Sequence, residues 1–294
     1  MKYLKFICFF IVFYITTFSF CQDKDVIIEA IKVNENVFML KGQGGNIGVF
    51  IGDDGVFIID DQFAHLSAKI ESKIKELSDK PITFLVNTHH HGDHTGGNEN
   101  MANLGATIIS HDNVRNRLSR NQTSQGNLLP KKALPVITFN DKLNLYFNGE
   151  QVLVFHAENA HTDGDVLLYF TESNVLHTGD NYFQGRYPYI DLESGGSVMG
   201  YIEAVNRALI VIDDDTKIIP GHGDISNKKE YLNFLKMLES LKNSVVKEIE
   251  NGKTEEQVAT NEDLTKTYDD LGYSWGFINS EKIRRTFFKS LSSR

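Results

Sequence analysis

The apolar run Ile82-Thr83-Phe84-Leu85-Val86 passes without a break into Asn87-Thr88-His89-His90-His91-Gly92-Asp93-His94-Thr95-Gly96-Gly97. The run reads as a buried strand, and loops at strand ends are where ligand-binding side chains gather. His89 and His91 are two residues apart, so in an extended segment their imidazoles share one side. Asp93 and His94 follow in a glycine-flanked turn, where the chain can reverse and aim them at a neighbouring point. Neutral imidazole and carboxylate are ligands that zinc accepts. Four such groups so close together do not easily converge on one ion, but they divide between two. A bare triple histidine would read as a solvated loop; this spacing, between a buried strand and Thr-Gly-Gly, does not.

Three later residues have the character to complete a pair of sites. His161 lies in Ala160-His161-Thr162-Asp163-Gly164-Asp165, just before the apolar run 166–170. Asp180 closes His177-Thr178-Gly179-Asp180, after the run 175–177. His222 sits in Pro220-Gly221-His222-Gly223, after Lys217-Ile218-Ile219. A lone histidine is weak evidence for a ligand. Three such residues at strand–loop junctions with glycine beside them are not a natural accident.

The pattern around these loops is mixed. Alternation and turn chemistry predict strands over 26–33, 37–40, 46–51 and 56–60, then a helix over 64–77. Further strands are expected at 106–110, 136–139, 143–147, 151–155, 166–170, 175–177 and 217–219. Helices are expected at 111–120, around 201–212 and through a long amphipathic stretch, 231–249. The polar, then aromatic tail from Thr254 (Tyr268, Tyr273, Trp275, Phe277) reads as helices that pack back on the domain. Strands, a helix pair and then the same again predict an α+β chain of two mixed sheets flanked by helices, a four-layer αββα sandwich.

Lys2 and Lys5 precede an almost wholly apolar run, Phe6 to Phe20. It is shorter than the roughly 20 residues of a comfortable membrane span and fits a secretory signal over 1–21, with Ser19-Phe20-Cys21 placing cleavage before Gln22. A membrane anchor and a lipoprotein acylated on Cys21 are the competing readings. Residues 22–294 then form one domain with a C-terminal helical extension, expected to be periplasmic or secreted. Cys8 and Cys21 are the only cysteines of the chain, so a disulfide framework and a cysteine zinc finger are excluded. The formal charge of −9 argues against nucleic acid and anionic membrane surfaces as partners. A small-molecule substrate is the expected partner.

The segments NTHHHGDHTGG, AHTDGD, HTGD and PGHG, in this order, resemble the metallo-β-lactamase superfamily of binuclear metallohydrolases over about residues 37–225, and Gly44-Gly45-Asn46 and Ile58–Asp61 match in position. The resemblance implies His89, His91 and His161 on a first metal, Asp93, His94 and His222 on a second, and Asp180 bridging. Two zinc ions per chain are implied, since position 91 is His and not the Glu of the di-iron branch. The implied reaction is attack of a metal-held hydroxide, oriented by Asp93, on a carbonyl carbon of a β-lactam-type amide, lactone, ester or thioester. Asp180 at the bridging position is closer to glyoxalase II and lactonases than to the true β-lactamases. A mononuclear-iron persulfide dioxygenase, with a similar H-x-H-x-D-H, is the alternative.

Other residues carry weaker expectations. His90 is read as outside the ligand set and solvent-facing. His156 and His177 flank the ligand strands as supporting or packed histidines. Asp60 and Asp61 either support the metal loop or cap the next helix. Asn181, Tyr182, Arg186 and Tyr187 are expected to line the substrate cleft, with Arg186 pairing a substrate carboxylate.

Overall fold

The computed structural model describes residues 26–122 and 126–292. The expected signal segment and both cysteines lie outside the described residues. The first sheet contains β1 (Glu29–Lys32), β2 (Val37–Lys41), β3 (Ile47–Gly52), β4 (Gly55–Ile59), β5 (Ile82–Val86), β6 (Thr107–His111) and β7 (Ile137–Phe139), hydrogen-bonded in that order. β1 to β4 run as an antiparallel meander, and β4 to β7 are parallel. The second sheet contains β8 (Lys142–Phe147), β9 (Glu150–Ala157), β10 (Asp165–Phe170), β11 (Val175–His177), β12 (Lys217–Ile219) and β13 (Ser226–Asn227), also adjacent in sequence order. All its pairings are antiparallel except β11 with β12.

The side-chain period of two explains how the layers form. In β4 every residue is buried. Phe57 and Ile59 point into the layer between the sheets, where they meet Val154, Val166, Leu168 and Phe170. Val56 and Ile58 point the other way, onto Ile70 and Ile74 of α1 (Ser67–Leu77) and Met101 of a later helix. A strand covered on both faces must be apolar throughout, and each such buried side chain contributes about 1.5–3 kcal/mol. The outer face of the second sheet is covered by α5 (Val198–Val211), α6 (Lys228–Glu250) and α9 (Ser280–Ser292), through Tyr201, Val205, Phe234, Leu238, Ile283 and Phe287. The result is the expected four-layer sandwich.

Local differences have local causes. The expected strand over 26–33 keeps only β1 in the ladder. The expected helix over 64–77 opens as a 3-10 turn, Ala64–Leu66. The loop after β5 holds two short helices absent from the sequence reading, α2 (Gly92–Thr95) and α3 (Asn98–Asn103). The α2 turn is fixed by distant backbone: Gly45 donates to the Asp93 carbonyl (3.1 Å) and Asp61 to the His94 carbonyl (2.9 Å). No local pattern encodes such contacts. Further helices are α4 (Asp112–Leu118), α7 (Glu255–Ala259) and α8 (Lys266–Asp269). No described helix is long and apolar enough to cross a membrane.

Candidate metal centre

Topology gathers the ligand residues. β4 and β5 are parallel, so Asp60 and the histidine loop emerge from the same end of the first sheet. In the second sheet β11 and β12 are parallel and present Asp180 and His222 after their C-terminal ends. β10 is antiparallel to β11, so its start, preceded by His161, lies at that edge too. Ligands in open sheets with parallel strands collect outside the carboxyl ends of those strands.

The seven expected ligands fall into two groups of donors. The first joins His89, His91, His161 and Asp180; the second joins Asp93, His94 and His222. His91 Nδ1 lies 3.1 Å from His89 Nε2 and 3.0 Å from His161 Nε2. Asp180 Oδ2 lies 3.8 Å from His89 Nε2 and 3.5 Å from His161 Nε2. Its other oxygen, Oδ1, lies 3.1 Å from His94 Nε2 and 3.3 Å from His222 Nε2. Asp93 Oδ2 lies 3.7 Å from His94 Nε2 and 3.4 Å from His222 Nε2. Metal–imidazole bonds of about 2.0–2.1 Å at tetrahedral angles place neighbouring donor atoms roughly 3.3–3.4 Å apart. The observed separations straddle that edge length.

The chemistry of the set also fits a cation. His94 Nε2 and Asp180 Oδ1 are both buried without a hydrogen-bond partner among the described residues, a costly state for polar atoms unless something else binds them. Burial pushes His161 down to about 3 and His89 well below its ordinary value, so both are neutral donors. Burial would raise Asp180, but the His222 and His94 rings beside it hold it well below the usual carboxylate range. Burial would lower His94, but Asp180, Asp93 and Asp60 together raise it well above normal. That proton answers the same surplus of carboxylate charge that a metal ion would answer.

Several of the donors are held from behind. Asp60, in the left-handed region at φ 63°, accepts from the Thr88 backbone N–H and the Thr88 hydroxyl and faces His94 Nδ1, all at 2.7 Å. Asp61 accepts from Gly97 N–H at 2.9 Å. Asp60 therefore supports the metal loop, and Asp61 supports its exit. His91 Nε2 is 3.0 Å from Asp191 Oδ2, and His161 Nδ1 donates to the Tyr189 carbonyl at 2.8 Å. Tyr201 donates its hydroxyl to the Asp180 carbonyl at 2.6 Å. Two glycines make room: a Cβ on Gly45 would overlap the His94 ring, and one on Gly221 would overlap Asp180 Oδ1. Partners of this kind fix ring orientation and tautomer.

Three expected cleft residues are elsewhere. Tyr182 is buried against Tyr231 and Phe234, with its hydroxyl on Ser226 Oγ at 3.0 Å. Asn181 is buried and donates to the Thr178 carbonyl at 3.3 Å. Tyr187 is fully buried, donating to Asp269 Oδ1 at 2.7 Å and the Thr265 carbonyl at 3.2 Å. The chain after Asp180 turns inward, toward α5 and α6, and only Arg186 of the four reaches the cleft. His90 is also not solvent-facing: it is buried, 3.4 Å from Ser194 Oγ, outside these two donor groups but close to His91 and Asp191. His177 is buried and supports the Asp180 turn, accepting from Gly179 N–H at 3.2 Å. His156 lies away from the centre, stacked on His111 at 3.9 Å.

The actual cleft, about 530 Å³, is walled by Phe183, Tyr189, Trp275 and Phe277, with Gln43 and Arg186 at its edge. The sequence reading missed Gln43, Phe183, Tyr189 and Asp191. It saw Trp275 and Phe277, but only as part of a tail packing back on the domain. The aromatic cluster itself was the available signal.

The family model described as "Metallo-beta-lactamase superfamily" matches residues 40–246. The probable metallo-hydrolase YqgX of Bacillus subtilis is 26% identical over 204 residues, covering 65% of this chain and 92% of that protein. A hydroxyacylglutathione hydrolase of Pelagibacter ubique is 26% identical, covering 58% of this chain and 66% of that protein. The chain spans 52% of the length of another, from a Polaromonas species. Among solved structures, a metallo-beta-lactamase from Pontibacter korlensis superposes with a TM-score of 0.62 at 18% identity, over 72% of this chain and 99% of that one. The sec-alkylsulfatase Pisa1 of a Pseudomonas species superposes with a TM-score of 0.68 at 16% identity, over 90% of this chain and 50% of that one. These likenesses show the shared fold.

Proposed function

Because the chain belongs to the metallo-β-lactamase superfamily, we propose that its centre binds two zinc ions and hydrolyses a carbonyl substrate of the ester or thioester type. The observation that carries this reading is Asp180, whose two oxygens each face a different donor group. When bound, such a pair would supply a Lewis acid for the carbonyl oxygen and a water made acidic at neutral pH.

The protein's own residues do the rest. His89, His91 and His161 would hold one ion, and Asp93, His94 and His222 the other. Asp191 and the Tyr189 carbonyl keep the rings of His91 and His161 turned inward. Asp93 is the more exposed of the two carboxylates and lines the cleft, so its second oxygen is the acceptor that orients the attacking water. The thioester preference draws on the relatives named as hydroxyacylglutathione hydrolases.

Purified mature protein tests the reading with a chromogenic cephalosporin, an acyl-lactone, S-lactoylglutathione and a phosphodiester, alongside metal analysis. Turnover of the thioester or lactone with two zinc ions per chain is expected. One iron per chain and no hydrolysis would turn the reading toward a persulfide dioxygenase. We also propose that the protein is exported, on the strength of the apolar run Phe6 to Phe20. Intact mass of the exported protein should begin at Gln22; retention of residues 1–21, or lipid on Cys21, would overturn a soluble secreted form.

A further inference from the structure

His222 is carried by a turn that does not hold itself. Among the described residues no backbone hydrogen bond within 220–223 closes it. Its four carbonyls are taken by two other segments. Gln184 N–H donates to the His222 carbonyl at 2.9 Å. The other three carbonyls belong to a single buried residue, Asn46, which stands just before β3. Its backbone N–H donates to the Gly221 carbonyl at 2.7 Å. Its side-chain amide donates to the Pro220 carbonyl at 2.9 Å and to the Gly223 carbonyl at 3.0 Å. The contact joins the first sheet to the second across 174 positions of sequence.

The same stretch of chain reaches the other donors of the second group. Gly45 lies against the His94 ring and donates to the Asp93 carbonyl at 3.1 Å. The Asn46 carbonyl accepts from His177 Nε2 at 3.2 Å, and His177 Nδ1 accepts from Gly179 N–H in the turn that bears Asp180. The three-histidine group has other supports, Asp191 behind His91 and the Tyr189 carbonyl behind His161. The two donor groups are thus braced by separate segments. An asparagine amide nitrogen carries two hydrogens, so one group satisfies the carbonyls on both sides of His222. An aspartate of nearly the same shape would turn acceptor oxygens toward those carbonyls.

We propose that Asn46 is the positioning residue for His222: by donating to the Pro220 and Gly223 carbonyls it fixes the turn that aims the imidazole, and so sets the affinity of the Asp93–His94–His222 group without acting on the three-histidine group. This rests on the two-ion reading of the centre. Asn46 touches no ion and no substrate. Its effect passes through backbone carbonyls that are costly to leave without donors when buried. Supports behind metal ligands are worth about 10–100-fold in metal affinity.

Asn46→Asp and Asn46→Ala test the proposal, with zinc uptake followed by competition against a chromogenic chelator and ligand geometry read from the visible bands of the cobalt(II)-loaded proteins. Asn46→Ala should weaken the second ion about tenfold, and Asn46→Asp, which sets oxygen against oxygen, toward the upper end of about 10–100-fold. The first ion and its cobalt bands should stay as in the parent. A residue that only fills space predicts the reverse order, with the aspartate near the parent and the alanine worst. Hydrogen exchange in the metal-free proteins gives a readout independent of any ion: 220–223 should exchange faster in both variants, and 161–165 as in the parent. Circular dichroism checks that each variant folds; where the aspartate does not, the alanine decides alone. Parent-like affinity for both ions in the folded variants, or equal loss at both groups, overturns the proposal. A parent that takes up two ions beside an Asn46→Asp that does the same removes this inference and spares the two-ion reading. A parent that takes up a single ion overturns both.

Discussion

Asp60 Oδ2 and His94 Nδ1 face each other at 2.7 Å, with both side chains wholly buried. The contact joins the end of β4 to the loop after β5. It also spends a left-handed backbone conformation at Asp60, one that Asp and Asn tolerate better than other non-glycine residues. The same carboxylate takes the Thr88 backbone and hydroxyl. Strain held in place by three hydrogen bonds marks a position built to aim another residue.

Asp60→Asn keeps the shape and the backbone tolerance but removes the charge and one acceptor oxygen. Metal affinity at the Asp93–His94–His222 group should fall about 10–100-fold, with little change at the three-histidine group. Competition with a chromogenic chelator reads the two affinities. Equal loss at both groups would mean that Asp60 supports the whole loop and not His94 in particular.

Much of this centre was legible because its ligand residues stand next to strand ends with glycine beside them. His89, His91, Asp93 and His94 share one loop, and His161, Asp180 and His222 each carry a short local pattern. The layers were legible because β4, β5 and β10 are apolar at nearly every position. What lay hidden depends on contacts between distant segments. Asp191 meets His91 across 100 positions of sequence, and nothing near Asp191 announces that. Tyr182 and Tyr187 follow a metal-ligand candidate and carry polar tips, so sequence proximity placed them in the cleft. Their rings instead satisfy the core beneath it, since a tyrosine with a hydroxyl partner packs as readily as a phenylalanine.

Tyr187 illustrates the difference between lining a cleft and holding its wall. Its hydroxyl reaches Asp269 and the Thr265 carbonyl, and its backbone holds Tyr273 and Trp275. Tyr187→Phe should cost about 1.5–3 kcal/mol, the range for a hydrogen bond to a charged group, seen as a lower denaturation midpoint with metal content unchanged. A substrate contact would behave otherwise, raising KM with no loss of stability.

His111 offers a pH prediction away from the centre. Its Nδ1 accepts from Asn113 N–H at 3.1 Å at the start of α4, and Nε2 donates to the Asn140 carbonyl at 3.0 Å, so the folded ring is neutral. Burial, then the stacked His156, lowers its proton affinity below the ordinary 6.5. The unfolded chain therefore binds this proton first as pH falls. The stability carried by neutral His111 is full above about 6.5 and is lost as pH drops from there toward the lowered folded value. His111→Asn keeps a capping side chain without the titration. The difference between the parent and variant melting curves should shrink as pH falls below about 6.5; a difference independent of pH would remove His111 as the source.

Asp180 gives the sharpest test of the two-ion arrangement. Its Oδ1 faces His94 and His222, and its Oδ2 faces His89 and His161. A carboxylate so placed has one oxygen for each ion, and its charge reduces the repulsion between two dications in a largely dry site. Asn keeps the size but loses the charge and one of the two acceptors. Asp180→Asn should therefore lose the ion at Asp93–His94–His222 more than the ion at His89–His91–His161, which keeps three imidazoles. Turnover should fall with that ion and return in part at high zinc. If Asp180 served only to fix the turn after β11, as its place beside Gly179 also allows, the variant would keep two ions and near-parent turnover with a modest stability loss. Zinc titration and turnover on the same sample separate these outcomes, and unchanged affinity at both groups would take Asp180 out of the metal centre.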